Sequence, residues 1–398
     1  MAGTPYEIIT TQDQLAELCR RLADEPTIGF DTEFVSEDTY WSQLCLIQVA
    51  TPTILAIIDP LQVDDVTPFW QVLADGDHET ICHAGREELL FSLQATSKRP
   101  ARLFDIQIAA GLAGFDYPAG YGTLVYKLTG RRPPKGETRT DWRRRPLTKA
   151  QLEYALSDVQ YLLACRDKLH ARLESRGRIA WLEEEMTAWQ DEVVSYQARK
   201  RWRRVSGISG LSRRNMAIVR ELWHWREAEA QRLNRPPKRV LRDDLLVEMA
   251  KRAIDDPERI LSIRGMERSG LQRAAGELAA CVKRAIALPE SEWPTSERRE
   301  MPGQLNLLGQ FLSAALTSIC NSAQVAPSIV GGASDVRELI AWRQGYRGAA
   351  EEESPALDRG WRAEVVGRLL EDLLEGKKSI RIGDATSNEP LVFEPVQS

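Results

Sequence analysis

The sequence predicts an α/β amino-terminal domain followed by two small all-helical domains. Three observations carry that reading. Short β-type apolar runs, bounded by turn residues, crowd the early part of the chain. Beyond Thr148, apolar residues recur at helical spacing almost without interruption. A polar, proline-bearing stretch over 288–303 then divides the helical part into two blocks.

In order along the chain, the runs 28–34, 44–49 and 53–58 read as a three-strand meander separated by polar turns and a proline. A fourth strand over 80–83 leads into a helical pattern from about 86 to 93. Asp105 is an N-cap candidate before the apolar segment 106–114, and a Gly/Pro-rich basic loop is expected over 114–146. Thr148 and Gln151 have capping-box spacing. Leu152, Ala155, Leu156, Val159, Leu162 and Leu163 then follow at helical intervals, and helical character continues to about 198. The first helical block, 208–290, places Ile218, Leu222 and Trp225 on one face and breaks at Arg235-Pro-Pro-Lys238. A second stripe follows at Leu245, Leu246 and Met249, and Asp256-Pro257 is an N-cap followed by an N1 proline. The expected domains are 1–198, 208–290 and 304–376, with 377–398 as a polar tail.

Composition narrows the function classes. The chain has 398 residues, 43% apolar and 28% charged, which fits folded domains and argues against disorder. Its longest aliphatic run, 54–58, falls far short of the roughly 20 residues that a membrane span needs. The first residues carry no basic, apolar leader pattern, and the six cysteines form no CxxC pair. A cytoplasmic protein without a membrane segment, disulfide framework or zinc site is the expectation. Net charge is −5, yet 131–149 holds eight Lys/Arg against two acids, and Arg199–Arg204 has five bases in six residues. Such local runs supply phosphate contacts whatever the global charge, although a solvated face has the same composition.

The chemistry-bearing residues are carboxylates. Asp31 and Glu33 flank Thr32 inside an apolar strand, so period two sets both acids on one face, about 6–7 Å apart. Two such acids repel unless a cation lies between them, and Mg²⁺ or Mn²⁺ suits all-oxygen ligands. An edge strand with a wet face is the plain alternative. Tyr154 and Asp158 are i and i+4 on the helix opened by Thr148, among apolar neighbours that imply a buried face. A buried aspartate there needs a partner, and a metal shared with Asp31 and Glu33 supplies one.

Asp31-Thr-Glu33, His83-x4-Glu88 and Tyr154-x3-Asp158 together resemble the motifs of DEDD exonucleases, in the tyrosine subclass. The segments Tyr40-x-x-Gln-Leu-Cys-Leu-Ile-Gln48, Asp105–Ala110, Glu137–Trp142 and Arg145-Pro-Leu147 resemble that superfamily's ribonuclease D branch. The block 208–290 resembles an HRDC domain, a helical nucleic-acid-binding module, and 304–376 a second such domain. The resemblance runs in order over most of the chain.

It implies a ribonuclease H-like mixed sheet with flanking helices, and a 3′→5′ exoribonuclease that trims structured RNA such as tRNA precursors and releases nucleoside 5′-monophosphates. Two divalent metal ions (Mg²⁺ or Mn²⁺) would be held by Asp31, Glu33, Glu88 and Asp158, with Asp31 bridging them. Tyr154 would orient the attacking water, and Glu153, where a histidine subclass would need its base, disfavours that subclass. Position 88 departs from the pattern, which expects aspartate; one more methylene adds reach of roughly 1.5 Å, where a 1 Å displacement can cost about 100-fold in rate. That departure leaves open a non-catalytic RNA-binding protein on a degenerate core; a DNA 3′→5′ exonuclease is the other alternative. Lys135, Arg139, Trp142 and Arg143 interleave bases with an aromatic, as single-strand binding requires. Tyr40 and Gln48 either touch the terminal nucleotide or serve packing. His83 is read as structural, Asp105 as a helix cap, and Trp223 and Trp225 as packing residues. RNA with a free 3′ end is the expected partner, with no membrane and no obligate protein partner. Removing 304–398 is expected to alter substrate choice more than the rate on a short single strand.

Overall fold

A computed structural model describes residues 5–134, 140–198, 201–294, 303–345, 354–387 and 389–396. The chain forms two compact units. One comprises Met1–Glu33, Cys45–Val194 and Met301–Ser398; the other comprises Phe34–Leu44 and Ser195–Glu300.

The first unit is built on a mixed sheet of β1 (Glu7–Ile9), β2 (Thr27–Val35), β3 (Gln43–Ala50), β4 (Leu55–Ile58), β5 (Glu79–Cys82) and β6 (Leu103–Asp105). Their order is β1-β4-β3-β2-β5-β6. β3 and β4 pair antiparallel, with Ile47 opposite Ile58, whereas β2–β5, β5–β6 and β1–β4 are parallel. The central strands β3 and β4 are nearly continuous runs of buried residues because helices cover the sheet. These are α1 (Gln12–Leu22), α2 (Thr67–Asp75), α3 (Arg86–Thr96), α4 (Ile106–Leu112), α5 (Tyr121–Thr129), α6 (Lys149–Val159), α7 (Leu162–Glu174) and α8 (Ile179–Ala198). The expected capping box is present: the Thr148 hydroxyl accepts from the Gln151 N–H, and the Gln151 side chain accepts from the Thr148 N–H. Asp105 caps α4 through the Gln107 N–H, as read from the sequence. The segment expected as a continuous loop over 114–146 instead contains α5, which buries Leu124 and Val125.

The second unit contains α9 (Arg213–Leu233), α10 (Pro237–Val240), α11 (Asp243–Arg252), α12 (Pro257–Leu261) and α13 (Ser269–Ala287). Ile218, Leu222, Leu246, Met249, Leu278 and Val282 meet in its core, and Trp202 joins them. Thus part of the second basic run is structural: a 3₁₀ turn at Arg201–Arg204 buries Trp202, and Arg203 stacks over its ring. Arg199 and Lys200 lie outside the described residues. Trp223 and Trp225 pack against this core, as expected, and Trp225 Nε1 donates to Glu277 at 2.7 Å. A buried ion pair, Arg226–Asp243 at 2.6 Å, ties α9 to α11.

The carboxy-terminal helices are α14 (Gly303–Ser322), α15 (Pro327–Val330), α16 (Ala333–Arg343), α17 (Gly360–Arg362) and α18 (Arg368–Leu374). Expected as a separate domain, they fall within the first unit. Arg178 donates to the Gln324 carbonyl beyond the end of α14 at 2.9 Å and to Leu112 of α4 at 2.7 Å. Cationic donors there satisfy carbonyls that the helix end leaves unpaired. The Arg362 guanidinium grips both oxygens of Glu185 on α8 at 2.6 and 2.9 Å. Trp361 stacks on Trp181 at 5.6 Å between centroids. The segment expected as a tail forms an antiparallel hairpin of β7 (Lys378–Ile382) and β8 (Leu391–Pro395). Among the described residues, no helix is long and apolar enough to cross a membrane, and all six cysteines are buried thiols.

Candidate active site

β2 presents two chemically distinct faces because successive side chains alternate. Phe30 packs edge-on against Phe69 and Trp70 of α2, at 6.2 and 5.9 Å between centroids. On the alternate face, a Cβ at Gly29 would be crowded by Leu162 and Leu163 of α7, at 3.0–3.3 Å. Glycine thus lets the start of α7, and the end of α6 just before it, approach the strand at the level of the two acids. Asp158 lies in the last turn of α6, and its carboxylate joins those of Asp31 and Glu33, with one oxygen of each within 4.8 Å of the others.

Crowding three half-buried acids has electrostatic consequences. Burial, followed by the charges of Glu88, Asp158 and Glu33, pushes the Asp31 carboxyl well above the usual range. Glu33 is pushed up to about 8, by burial first and then by Asp158 and Glu88. Burial raises Asp158 to about 7, opposed by a hydrogen bond from the Tyr154 hydroxyl one turn earlier on α6. The Tyr154 phenol is itself pushed upward by burial and by Asp158 and Glu33, so it stays protonated and acts as a donor. This donor set is all oxygen and repulsive without a counter-ion, which fits a hard divalent cation.

Glu88 reaches the site from the first turn of α3 and is 6% exposed. Its carboxylate accepts from the Thr32 hydroxyl at 2.6 Å, and burial raises it to about 7 against that hydrogen bond. It lies close enough to raise Asp31 and Glu33, although it is outside the trio that converges within 4.8 Å. Asp105 sets the turn leading into α3. Its carboxylate accepts from the N–H groups of Ala84, Gly85 and Gln107 at 2.8–3.0 Å, and Ala84 has a left-handed φ of 56°. His83 makes a 2.9 Å hydrogen bond with the Ala119 carbonyl, in keeping with a structural role.

The residues expected to bind nucleic acid separate into groups. Trp142 is 2% exposed, so its face is not a platform for bases; the ring lies against Tyr154 at 6.1 Å, tilted by 36°. Gln48 is fully buried in β3, which likewise withdraws it from contact with a nucleotide. Arg143 is exposed and paired with Asp141 at 2.8 Å. Tyr40 belongs to the second unit, where its hydroxyl bridges Gln231 and Glu227 of α9 at 3.0 and 3.3 Å. Lys135 and Arg139 lie outside the described residues.

Three contributors escaped the sequence reading. Alternation turns Thr32 from the acids, and nothing local announces Glu88 as its partner. Tyr121 reaches α6, donating to the Ser157 carbonyl at 2.9 Å. Arg145, one base of the basic run and part of the Arg145-Pro-Leu147 segment, has no partner that the sequence announces. It donates to both oxygens of Asp59, 86 residues away, and to the carbonyls of Cys45 and Trp142 at 2.8 Å.

Comparison with known proteins agrees with this geometry. Residues 6–174 match the 3′-5′ exonuclease family, and 215–282 match the HRDC domain family. Ribonuclease D of Granulibacter bethesdensis is 35% identical over 371 residues, covering 91% of this chain and 90% of its own length. Ribonuclease D of Gluconacetobacter diazotrophicus is 34% identical, covering 94% and 95%. The crystal structure of Escherichia coli RNase D, described as an exoribonuclease involved in structured RNA processing, superposes with a TM-score of 0.81 at 30% identity. It covers 94% of this chain and 99% of that one.

Proposed function

The chain belongs to the ribonuclease D family and is a 3′→5′ exoribonuclease; we propose that it trims the 3′ ends of structured RNA, tRNA precursors among them, in the cytoplasm. Asp31, Glu33 and Asp158 would hold one divalent cation, and Glu88, beside Asp31, would help hold a second. The observation that carries the first of these is the convergence of the Asp31, Glu33 and Asp158 carboxylates within 4.8 Å, where burial and neighbouring charges push the Asp31 and Glu33 carboxyls up. Mg²⁺ and Mn²⁺ both suit these ligands. When bound, such ions supply Lewis-acid polarisation of water and neutralise charge on the departing 3′ oxygen.

The protein's own groups orient the reaction. Tyr154, protonated and half-buried, holds the attacking water in line with the last phosphodiester. Asp158, one helical turn away, fixes the phenol by accepting its hydrogen bond. Glu88 keeps a carboxylate where the family pattern has aspartate, and Thr32 restrains its longer side chain. Arg143 meets phosphates near the 3′ end, and the HRDC region together with the carboxy-terminal helices holds the folded body of the RNA.

The test is a time course on 5′-labelled RNA bearing a single-stranded 3′ tail, in Mg²⁺ and in Mn²⁺, with EDTA and Asp31→Asn as controls. A ladder shortening from the 3′ end with release of 5′-monophosphates, abolished by EDTA and by Asp31→Asn, is expected. Tight RNA binding with no ladder in either metal would leave a binding protein on a nuclease core. Faster digestion of a matched DNA strand would overturn the choice of RNA.

A further inference from the structure

We propose that Trp142 is a positioning residue for Tyr154, and that the Arg145–Asp59 ion pair locks it in place. The inference rests on the reading of Tyr154 as the residue that orients the attacking water. Trp142 precedes α6 in the chain, yet its ring folds back onto the Tyr154 ring, with centroids 6.1 Å apart. At 2% exposure it has no free face for a nucleobase. Its indole N–H finds no hydrogen-bond partner among the described residues, so shape and not hydrogen bonding sets the ring against Tyr154.

The segment carrying Trp142 is fastened at four points. Arg145 donates to both oxygens of Asp59 beyond β4, and also to the carbonyl of Cys45 on β3. It donates as well to the Trp142 carbonyl at 2.8 Å, which fixes the tryptophan backbone itself. At the other end, the Gln151 amide donates to the Thr140 hydroxyl at 3.1 Å, one turn of α6 before Tyr154. Asp59 is 2% exposed, and the Arg145 guanidinium holds its carboxyl below the usual range against the opposing effect of burial. The ion pair is therefore maintained throughout the neutral range. The indole closes one side of the phenol, and Asp158 accepts the hydroxyl hydrogen bond. Together they restrict the tyrosine to one direction, whereas an exposed tyrosine on a helix samples several rotamers.

A double-mutant cycle on a short single-stranded RNA tests this, with kcat and KM measured separately. Trp142→Ala is expected to lower kcat by about 10–100-fold, the scale of a misplaced reactive group, with KM changed by less than about threefold. Trp142→Phe, which keeps an aromatic face and sacrifices no satisfied hydrogen bond, is expected to recover most of the rate. In a Tyr154→Phe background, Trp142→Ala is expected to cost nothing further, because residues acting as one unit do not multiply their effects. Losses that multiply, or a raised KM with unchanged kcat, would overturn the proposal and return Trp142 to substrate binding or general packing. A Tyr154→Phe enzyme with full activity would instead overturn the role of Tyr154, leaving the two failures distinguishable. Melting temperatures accompany every variant; if Trp142→Ala unfolds, the same cycle run with Trp142→Leu decides by the same criteria.

Discussion

The Thr32 hydroxyl donates to the Glu88 carboxylate at 2.6 Å, tying the strand that carries Asp31 and Glu33 to the first turn of α3. Both side chains are buried, at 5% and 6% exposure, so neither partner has water as an alternative. A hydrogen bond to a charged group in such a place contributes about 1.5–3 kcal/mol. Thr32→Val keeps the shape and removes the donor. It is expected to lower stability by about that amount, read from the urea midpoint, and to raise the Mg²⁺ concentration needed for half-maximal activity. Thr32→Ser should restore both. A valine variant with unchanged midpoint and metal dependence would show that something else fixes Glu88.

Metal removal should make stability fall with pH. Burial pushes Glu33, Glu88 and Asp158 up to about 8, 7 and 7 in the fold, against about 4 when unfolded. Between those limits the folded chain binds more protons than the unfolded chain, so each step upward in pH favours unfolding. A divalent cation offsets the repulsion and needs deprotonated ligands. Melting temperatures at pH 5.5, 7 and 8.5 are expected to decline in EDTA, with the gap to the Mg²⁺ curve widening as pH rises. Asp31→Asn, with one charge fewer, should flatten the EDTA curve. Parallel curves with and without metal would refute the linkage.

The parts of the site that were legible in the sequence are those governed by local periodicity. Period two set Asp31 and Glu33 on one face, i to i+4 spacing paired Tyr154 with Asp158, and capping-box spacing located the start of α6. The misread parts depend on contacts far apart in the chain. Trp142 among arginines has the same local composition whether it faces solvent or is buried. What buries it is the Tyr154 ring and an ion pair spanning 86 residues. Helix α5 was hidden by Gly120, Gly122 and Gly130, which obscure a nine-residue helix with only two buried side chains. Likewise, leucine periodicity shows that 304–376 is helical but not that Arg178 joins it to the nuclease core across 146 residues.

That junction reverses the expectation for truncation. Deleting 304–398 would strip Trp361 from Trp181 and Arg362 from Glu185, and leave Arg178 without the Gln324 carbonyl. Removing one partner of a largely buried ion pair costs about 3–5 kcal/mol. The truncated enzyme is expected to melt lower and to lose activity on short and structured RNA alike. Arg362→Ala, a milder change at the same junction, is expected to lose about 3 kcal/mol without altering the ratio of activities on the two substrates. A truncated enzyme that keeps its melting temperature and loses only structured substrates would restore the reading of a detachable RNA-binding domain.

Asp105 offers a test of how far the backbone, and not the acids alone, determines the site. Its carboxylate satisfies three N–H groups at once, and at 1% exposure no water replaces it. Two of those groups belong to Ala84 and Gly85, the turn from which α3 delivers Glu88. Asp105→Asn keeps the volume but turns one acceptor into a donor that faces an N–H. An unsatisfied buried group costs about 1–3 kcal/mol, and the turn relaxes to relieve it. The variant is therefore expected to unfold at lower urea and to lose activity at limiting metal, with part of the rate recovered at saturating Mn²⁺. Among the described residues, the Asp105 carboxylate is hydrogen-bonded to Ala84, Gly85 and Gln107 and not to the trio of acids or Tyr154, so that recovery separates a displaced Glu88 from a damaged reaction centre. A uniform loss at every metal concentration would mean that the turn supports the whole site and not Glu88 in particular.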